Sequence, residues 1–215
     1  SVPGLKAVYP ATPYDAKGLL NWALRSTDPV VFFESQKLYG IGEQFEKEGV
    51  PKEYYEIPEG EPAIRRQGTD ITVISLGPTL YPVVETAKEL HEKYNLEAEV
   101  IDLRWINPLK YEKILESVKK TGKVVLVTDS AERGSYLQTV AATIGRLAFD
   151  YLDGPPVVVG SRNWITPPAE MEDYYFPHVS WILEAIHEQI LPLPGIELKH
   201  NFTDQELLRT LGHGV

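Results

Sequence analysis

Short continuous apolar runs alternate along this chain with stretches whose apolar residues recur every three or four positions. That is the pattern of strands buried on both faces, separated by helices packed against them. The runs lie at residues 5–9, 30–33, 71–76, 98–103, 124–129 and 157–160. Between the first two, Leu19, Leu20, Ala23 and Leu24 keep helical spacing, with Thr12 as N-cap, Pro13 at the first helical position and Asp15 in the first turn. That helix is expected to stop near Ser26, because Asp28-Pro29 breaks it. Further helices are expected at 82–94, 111–121, 136–152 and 179–191.

This alternation predicts an α/β fold whose main body is an open, mainly parallel sheet with helices on both faces. Residues 1–40 form a single βαβ unit, too small to cover its own sheet, and so read as the terminal piece of a larger α/β domain. Residues 41–68 mix Gly40, Gly42, Gly49, Pro51, Pro58, Gly60, Pro62 and Gly68 with many charges, the composition of a connector running over a surface. The complete sheet domain is expected over 69–195, followed by a tail at 196–215 with one helical turn near 204–211. The chain opens Ser1-Val-Pro-Gly-Leu without an initiator Met, and is expected to be a portion of a longer protein.

Composition narrows the chemistry. The 215 residues carry 21 Lys and Arg against 31 Asp and Glu, a formal charge of -10, which disfavours a nucleic-acid partner. No apolar run approaches the roughly 18 residues of a membrane span, so no membrane association is expected. Cysteine is absent, which removes disulfides, thiolate nucleophiles and Cys-based metal sites together and fits a cytoplasmic setting. Leu76-Gly-Pro-Thr-Leu80 has one Gly where a dinucleotide fingerprint needs three, so Gly77 reads as a tight strand-to-helix turn. There is no P-loop and no G-x-S-x-G, and Ser75 and Ser130 read as loop-capping hydroxyls. His91, His178, His187, His200 and His213 occur singly; His91 and His187 read as residues of solvated helix faces.

Two clusters remain. Asp129 and Glu132 fall at the carboxyl end of a strand, where α/β folds place ligands, although a carboxylate capping the Gly134 turn explains them equally well. Asp150, Asp153, Glu170, Glu172 and Asp173, interleaved with Trp164, Tyr174, Tyr175 and Phe176, are expected to gather around the end of the 136–152 helix and the loops that follow it. Aromatics rimmed by one sign of charge suit a protein interface, against a plain solvated surface as the alternative.

Several segments resemble one family. They are Pro3 to Leu20 (PGLKAVYPATPYDAKGLL), Asp28-Pro-Val-Val-Phe-Phe-Glu34, Lys37-Leu-Tyr39, Gly68 to Ile74, Glu99-Val-Ile-Asp-Leu-Arg104, Asn107-Pro-Leu109, Ser117 to Gly122 and Phe176-Pro177. In order over about 1–191, they are similar to the beta chain of the thiamine-diphosphate-dependent component of 2-oxo acid dehydrogenase complexes. The resemblance implies that 1–40 closes a pyrimidine-binding domain and that 69–195 is a transketolase-type C-terminal domain. It implies an enzyme that decarboxylates a 2-oxo acid on thiamine diphosphate with magnesium and passes the acyl group to lipoamide. The groups that act on the cofactor would precede Ser1, so this portion alone is expected to be inactive and to bind neither thiamine diphosphate nor magnesium. Its own work would be assembly with an alpha chain, docking to the lipoyl acyltransferase core, and a homodimer contact.

Two sites carry across by position. Ala23, Ser26 and Asp28 match a loop in which members of this group hold a potassium ion, with Ser26 standing where some relatives have Asp; an ordinary helix C-terminus is the alternative. Asp153, in Leu152-Asp-Gly-Pro155, matches an acidic residue that meets the basic subunit-binding domain of the acyltransferase. The chain departs from the pattern at Thr128-Asp129 and Gly134-Ser135-Tyr136, where relatives carry His-Glu and a glycine-rich turn. A transketolase-like or acetoin-cleaving thiamine enzyme, or a non-catalytic binding module of the same fold, are the alternatives.

Overall fold

A computed structural model describes residues 3–198. The helical turn expected at 204–211 lies outside the described residues. Among the described residues eight strands form two sheets, accompanied by five α-helices. The larger has the order β3-β5-β4-β7-β8, with β3 (Ala63–Arg66), β4 (Ile71–Ser75), β5 (Ala98–Asp102), β7 (Val124–Ala131) and β8 (Val157–Ser161). Its last four members are parallel and β3 runs antiparallel at the edge.

The apolar runs become strands because both faces are covered. Val73, Val100, Val125 and Val159 face α2 (Leu80–Tyr94) and α5 (Val179–Gln189). Their neighbours Ile74, Ile101, Leu126 and Val158 face α3 (Glu112–Thr121) and α4 (Tyr136–Leu147). Successive side chains of a strand point to opposite faces, so a doubly covered strand is mostly apolar and its few polar residues need buried partners.

The smaller sheet has the order β2-β1-β6, from β1 (Lys6–Val8), β2 (Val30–Phe32) and β6 (Trp105–Asn107). Helix α1 (Pro13–Arg25) joins β1 to its parallel neighbour β2, and the Thr12 hydroxyl accepts the Asp15 N–H as its cap. Val8, Leu19, Ile57 and Trp105 make a separate small core, with Trp22 edge-on to Trp105.

Three differences from the sequence-based expectations matter. First, the connector at 41–68 is not only a surface segment. Its Ala63–Arg66 pairs antiparallel with β5, Ile57 is buried on α1, and the rings of Tyr14 and Tyr55 stack at 4.6 Å. Second, β6 is hidden in a three-residue segment just before Pro108, yet it closes one edge of β1. Third, the helix expected over 136–152 ends at Leu147, and a 3-10 turn over Phe149–Tyr151 replaces its last part.

Candidate functional site

The chain passes from the large sheet to the small one between β5 and β6, and Arg104 stands at the crossing. Its φ of +46° is a left-handed conformation that a non-glycine residue adopts only when its surroundings enforce it. Those surroundings are visible. The Arg104 N–H donates to Asp102 Oδ1 at 3.1 Å, and its carbonyl accepts the Tyr9 N–H at 3.0 Å. Its Nε donates to the Glu61 carbonyl at 2.8 Å, and Nη1 meets Asp15 Oδ1 at 2.8 Å.

Asp15 is fully buried and also pairs with Arg65, which in turn meets Asp102 Oδ2 at 2.9 Å. Two carboxylates therefore face two guanidinium groups in a dry seam between α1 and the large sheet. Burial pushes the Asp102 carboxyl up to about 6 even though Arg65 pulls the other way, with Asp15 adding a second upward push. Sequence reasoning misses this seam, because along the chain Asp15 has only a helix dipole to serve. One signal is there: Asp102, like Glu99 before it, is an acid in an otherwise apolar strand, and such a group needs a buried partner.

A second contact of the two parts lies at the carboxyl ends of β4 and β7. From β4 the chain winds to β5 on one side and then to β7 on the other, so these two strands flank the topological switch point, where open α/β sheets bind ligands. Gly77 has φ +64°, and a Cβ there would lie 2.5 Å from the Tyr9 ring. Only glycine lets that ring reach across, and the Tyr9 hydroxyl then donates to Asp129 Oδ2 at 2.9 Å. Burial raises the Asp129 carboxyl above its ordinary value and raises the Tyr9 phenol too. A cavity of about 180 Å³ opens here, bounded by Ser35 and Lys37, Pro78, Thr79 and Pro82, Asp129, and Phe176-Pro177. The Lys37 ammonium sits 3.7 Å over the Phe176 ring and pairs with Glu172 at 2.9 Å.

The Ser26 N–H caps α1 on the Trp22 and Ala23 carbonyls, and the Ser26 hydroxyl accepts the Asp28 N–H at 3.2 Å. Asp28 pairs with Lys6 at 3.2 Å, and Lys6 also meets Glu59 at 3.0 Å, so an ammonium already stands beside this loop. Asp153 keeps a side-chain exposure of 61%, pairs with Lys123 at 2.5 Å, and donates its N–H to the Gly122 carbonyl. Ser75 and Ser130 do not cap loops: both lie in strands, where the Ser75 hydroxyl donates to the Ile101 carbonyl of neighbouring β5 and the Ser130 hydroxyl bonds the Thr128 hydroxyl two residues back in β7. His91 is exposed as expected and pairs with Glu97, but His187 is half-buried and its Nδ1 accepts the Leu193 N–H at 2.8 Å.

The acidic and aromatic residues expected to gather do not. Asp150 and Asp153 precede β8 and lie at its amino end, whereas Glu170, Glu172 and Asp173 follow it at the carboxyl end. A five-residue strand, roughly 16 Å long, separates them. Tyr175 is buried, and Phe176 turns to Lys37.

Thiamine diphosphate and magnesium need a phosphate cradle and a set of metal ligands. No group of three or more His, Asp or Glu among the described residues is placed to hold a metal ion, and the turn after β4 lacks a glycine-rich phosphate cradle. These residues do not fit the cofactor by themselves, and no chemical step is assigned to them.

Two parts of the chain, the βαβ unit and the sheet of β4, β5, β7 and β8 between four helices, each match a known family. Residues 60–182 match the family "Transketolase, C-terminal domain", and residues 1–41 match "Transketolase, pyrimidine binding domain". The chain belongs to the transketolase C-terminal domain family. Among its relatives is the pyruvate dehydrogenase E1 component subunit beta of Acholeplasma laidlawii, 43% identical over 87% of this chain and 56% of that protein. The 2-oxoisovalerate dehydrogenase subunit beta of Bacillus subtilis is 45% identical over 86% and 56%. The chain thus spans slightly more than half the length of these relatives. A solved split-gene transketolase, an inactive beta4 tetramer, shares the fold with a TM-score of 0.68 at 23% identity, over 88% of this chain and 58% of that one. Among the described residues no helix is long and apolar enough to cross a membrane.

Proposed function

We propose that this chain is the C-terminal portion of the beta chain of a thiamine-diphosphate-dependent 2-oxo acid dehydrogenase, or of a fused alpha–beta version. The parent enzyme would act in the cytoplasm, decarboxylate its 2-oxo acid oxidatively and transfer the acyl group to lipoamide. The observation that carries this reading is the similarity to dehydrogenase beta subunits, sustained over 86% or more of the chain at 43–45% identity. The cofactor and its magnesium would be held by the rest of the pyrimidine domain and by an alpha chain, since the residues here offer them no cradle.

In that setting these residues position rather than react. The Asp15–Arg65–Asp102–Arg104 seam fixes the last βαβ unit of the pyrimidine domain against the C-terminal domain. The C-terminal domain then serves a homodimer contact and the acyltransferase core. Asp153, beside the exposed rings of Phe149 and Tyr151, is our anchor for a basic docking domain. The Ala23–Ser26–Asp28 loop is our potassium site, where the ion would have to share Asp28 with Lys6.

The test is to assemble the complete gene product with its alpha chain, thiamine diphosphate and magnesium, and to offer pyruvate and branched 2-oxo acids with lipoamide as acceptor. Decarboxylation coupled to acyl transfer is expected, with none from the 215-residue chain alone. Turnover of acetoin in place of every 2-oxo acid, or activity in the isolated chain, would overturn the proposal.

A further inference from the structure

The cleft at the switch point has the parts of a ligand site that assembly alone does not require. Asp129 reaches it from the carboxyl end of β7, and Lys37 with Ser35 reach it from the loop after β2. One anionic and one cationic side chain thus border the same small cavity, whose other walls are the apolar surfaces of Pro78, Pro82, Phe176 and Pro177. Polar groups converging on apolar walls at the carboxyl ends of parallel strands are the usual make-up of a small-molecule site.

Both charges keep bonding capacity. Asp129 accepts one bond from Tyr9 on Oδ2, and a carboxylate has about four acceptor positions. Lys37 meets Glu172, the second carboxylate of the neighbourhood, with its ammonium over the Phe176 ring, and an ammonium has three donors. At about 180 Å³ the cavity falls below the roughly 300 Å³ at which drug-sized pockets begin, so its occupant is a small molecule.

We infer that this cleft binds an aliphatic α-amino acid in its zwitterionic form, with the ammonium on Asp129, the carboxylate on Lys37, and the side chain against the prolines and Phe176. The raised Asp129 carboxyl agrees with this arrangement, because an arriving ammonium supplies the opposite charge that burial withholds. Such a site makes the junction between the two parts of the chain responsive to a metabolite. It goes beyond the proposed function, and stands or falls without it.

The experiment is isothermal titration of the 215-residue chain with L-valine, beside isobutylamine, which lacks the carboxylate, and isobutyrate, which lacks the ammonium. L-valine is expected to bind saturably and at least about tenfold more tightly than either half-molecule, the effect of one charge-assisted contact. Asp129→Asn and Lys37→Gln are each expected to weaken L-valine by about tenfold or more, while Lys88→Gln, on the exposed face of α2 beside Glu85, leaves it unchanged. Lys37 lies on an exposed loop, so Lys37→Gln still reports on the site even where Asp129→Asn disturbs the Tyr9 contact. Absence of saturable L-valine binding up to about 50 mM, equal binding of the amine alone, or unchanged binding in Lys37→Gln would overturn the inference.

Discussion

The two sheets of this chain are held together by different physics. In the five-stranded sheet every residue of β4, β5 and β8 is buried, because helices cover both faces. In the three-stranded sheet no residue of β2 is fully buried, and among the described residues β2 has no outer neighbour. The large sheet is stabilised by apolar area removed from water, the term that dominates folding. The small one is fastened to it by directional contacts: a buried ionic seam, an antiparallel strand taken from the loop after β5, and a tyrosine laid across a glycine. Such contacts bring little net stability when whole, but breaking one partner leaves a buried charge uncompensated.

The largest effect should therefore come from Asp15→Ala, which strands Arg104 and removes one of the two carboxylates that meet Arg65. A loss of about 3–5 kcal/mol is expected in denaturant-induced unfolding. The same seam titrates. Asp102 takes its proton near 6 in the folded chain and near its ordinary 3.8 when unfolded, so between these values the folded state holds the extra proton. Stability should fall as pH rises through that window, and the gap between the native chain and Asp102→Asn, measured by urea unfolding across it, should move against the native chain.

Next in size is Gly77→Ala. It places a methyl group on the Tyr9 ring at a positive φ, and is expected to cost about 2–3 kcal/mol by the same unfolding measurement. Tyr9→Phe keeps the ring contact and removes the donor to Asp129 together with the bond to Ser35, for about 1 kcal/mol and a smaller loss in melting temperature. Smallest is Lys123→Ala at the far end of the sheet. Its partner Asp153 is largely exposed, so the expected change lies within about 1 kcal/mol, and any larger effect would show that the outer pair resembles the seam after all.

The same contrast explains what is legible in the residues. The large sheet is legible because a doubly covered strand leaves a continuous apolar run, as in Val124 to Val127, and because Thr12 and Pro13 mark a helix start by local chemistry. Strand β3 is not, since Ala-Ile-Arg-Arg between proline and glycine reads as a connector, and its arginines find carboxylates only once β5 lies alongside. Nor is β6 legible, three residues long and followed by Pro108. Arg104 in a left-handed conformation has no signature, because the chain signals that conformation with glycine or asparagine and here tertiary bonds impose it. The expected acidic cluster fails for a related reason. Asp153 and Glu170 are close along the chain, but β8 lies between them, and a strand carries its two ends apart where a turn would bring them together.

The βαβ unit and the transketolase-type domain are expected to open as one body, because Arg104 and its carboxylates tie them through the crossing from β5 to β6. Native-state amide hydrogen exchange tests it most directly. The amides of Ala7 and Val8 in β1 should exchange with the same opening free energy as those of Val73 and Ile74 in β4, and both should drop together in Asp15→Ala. Exchange of the β1 amides at a much lower opening free energy, with β4 still protected and Asp15→Ala altering neither, would contradict it.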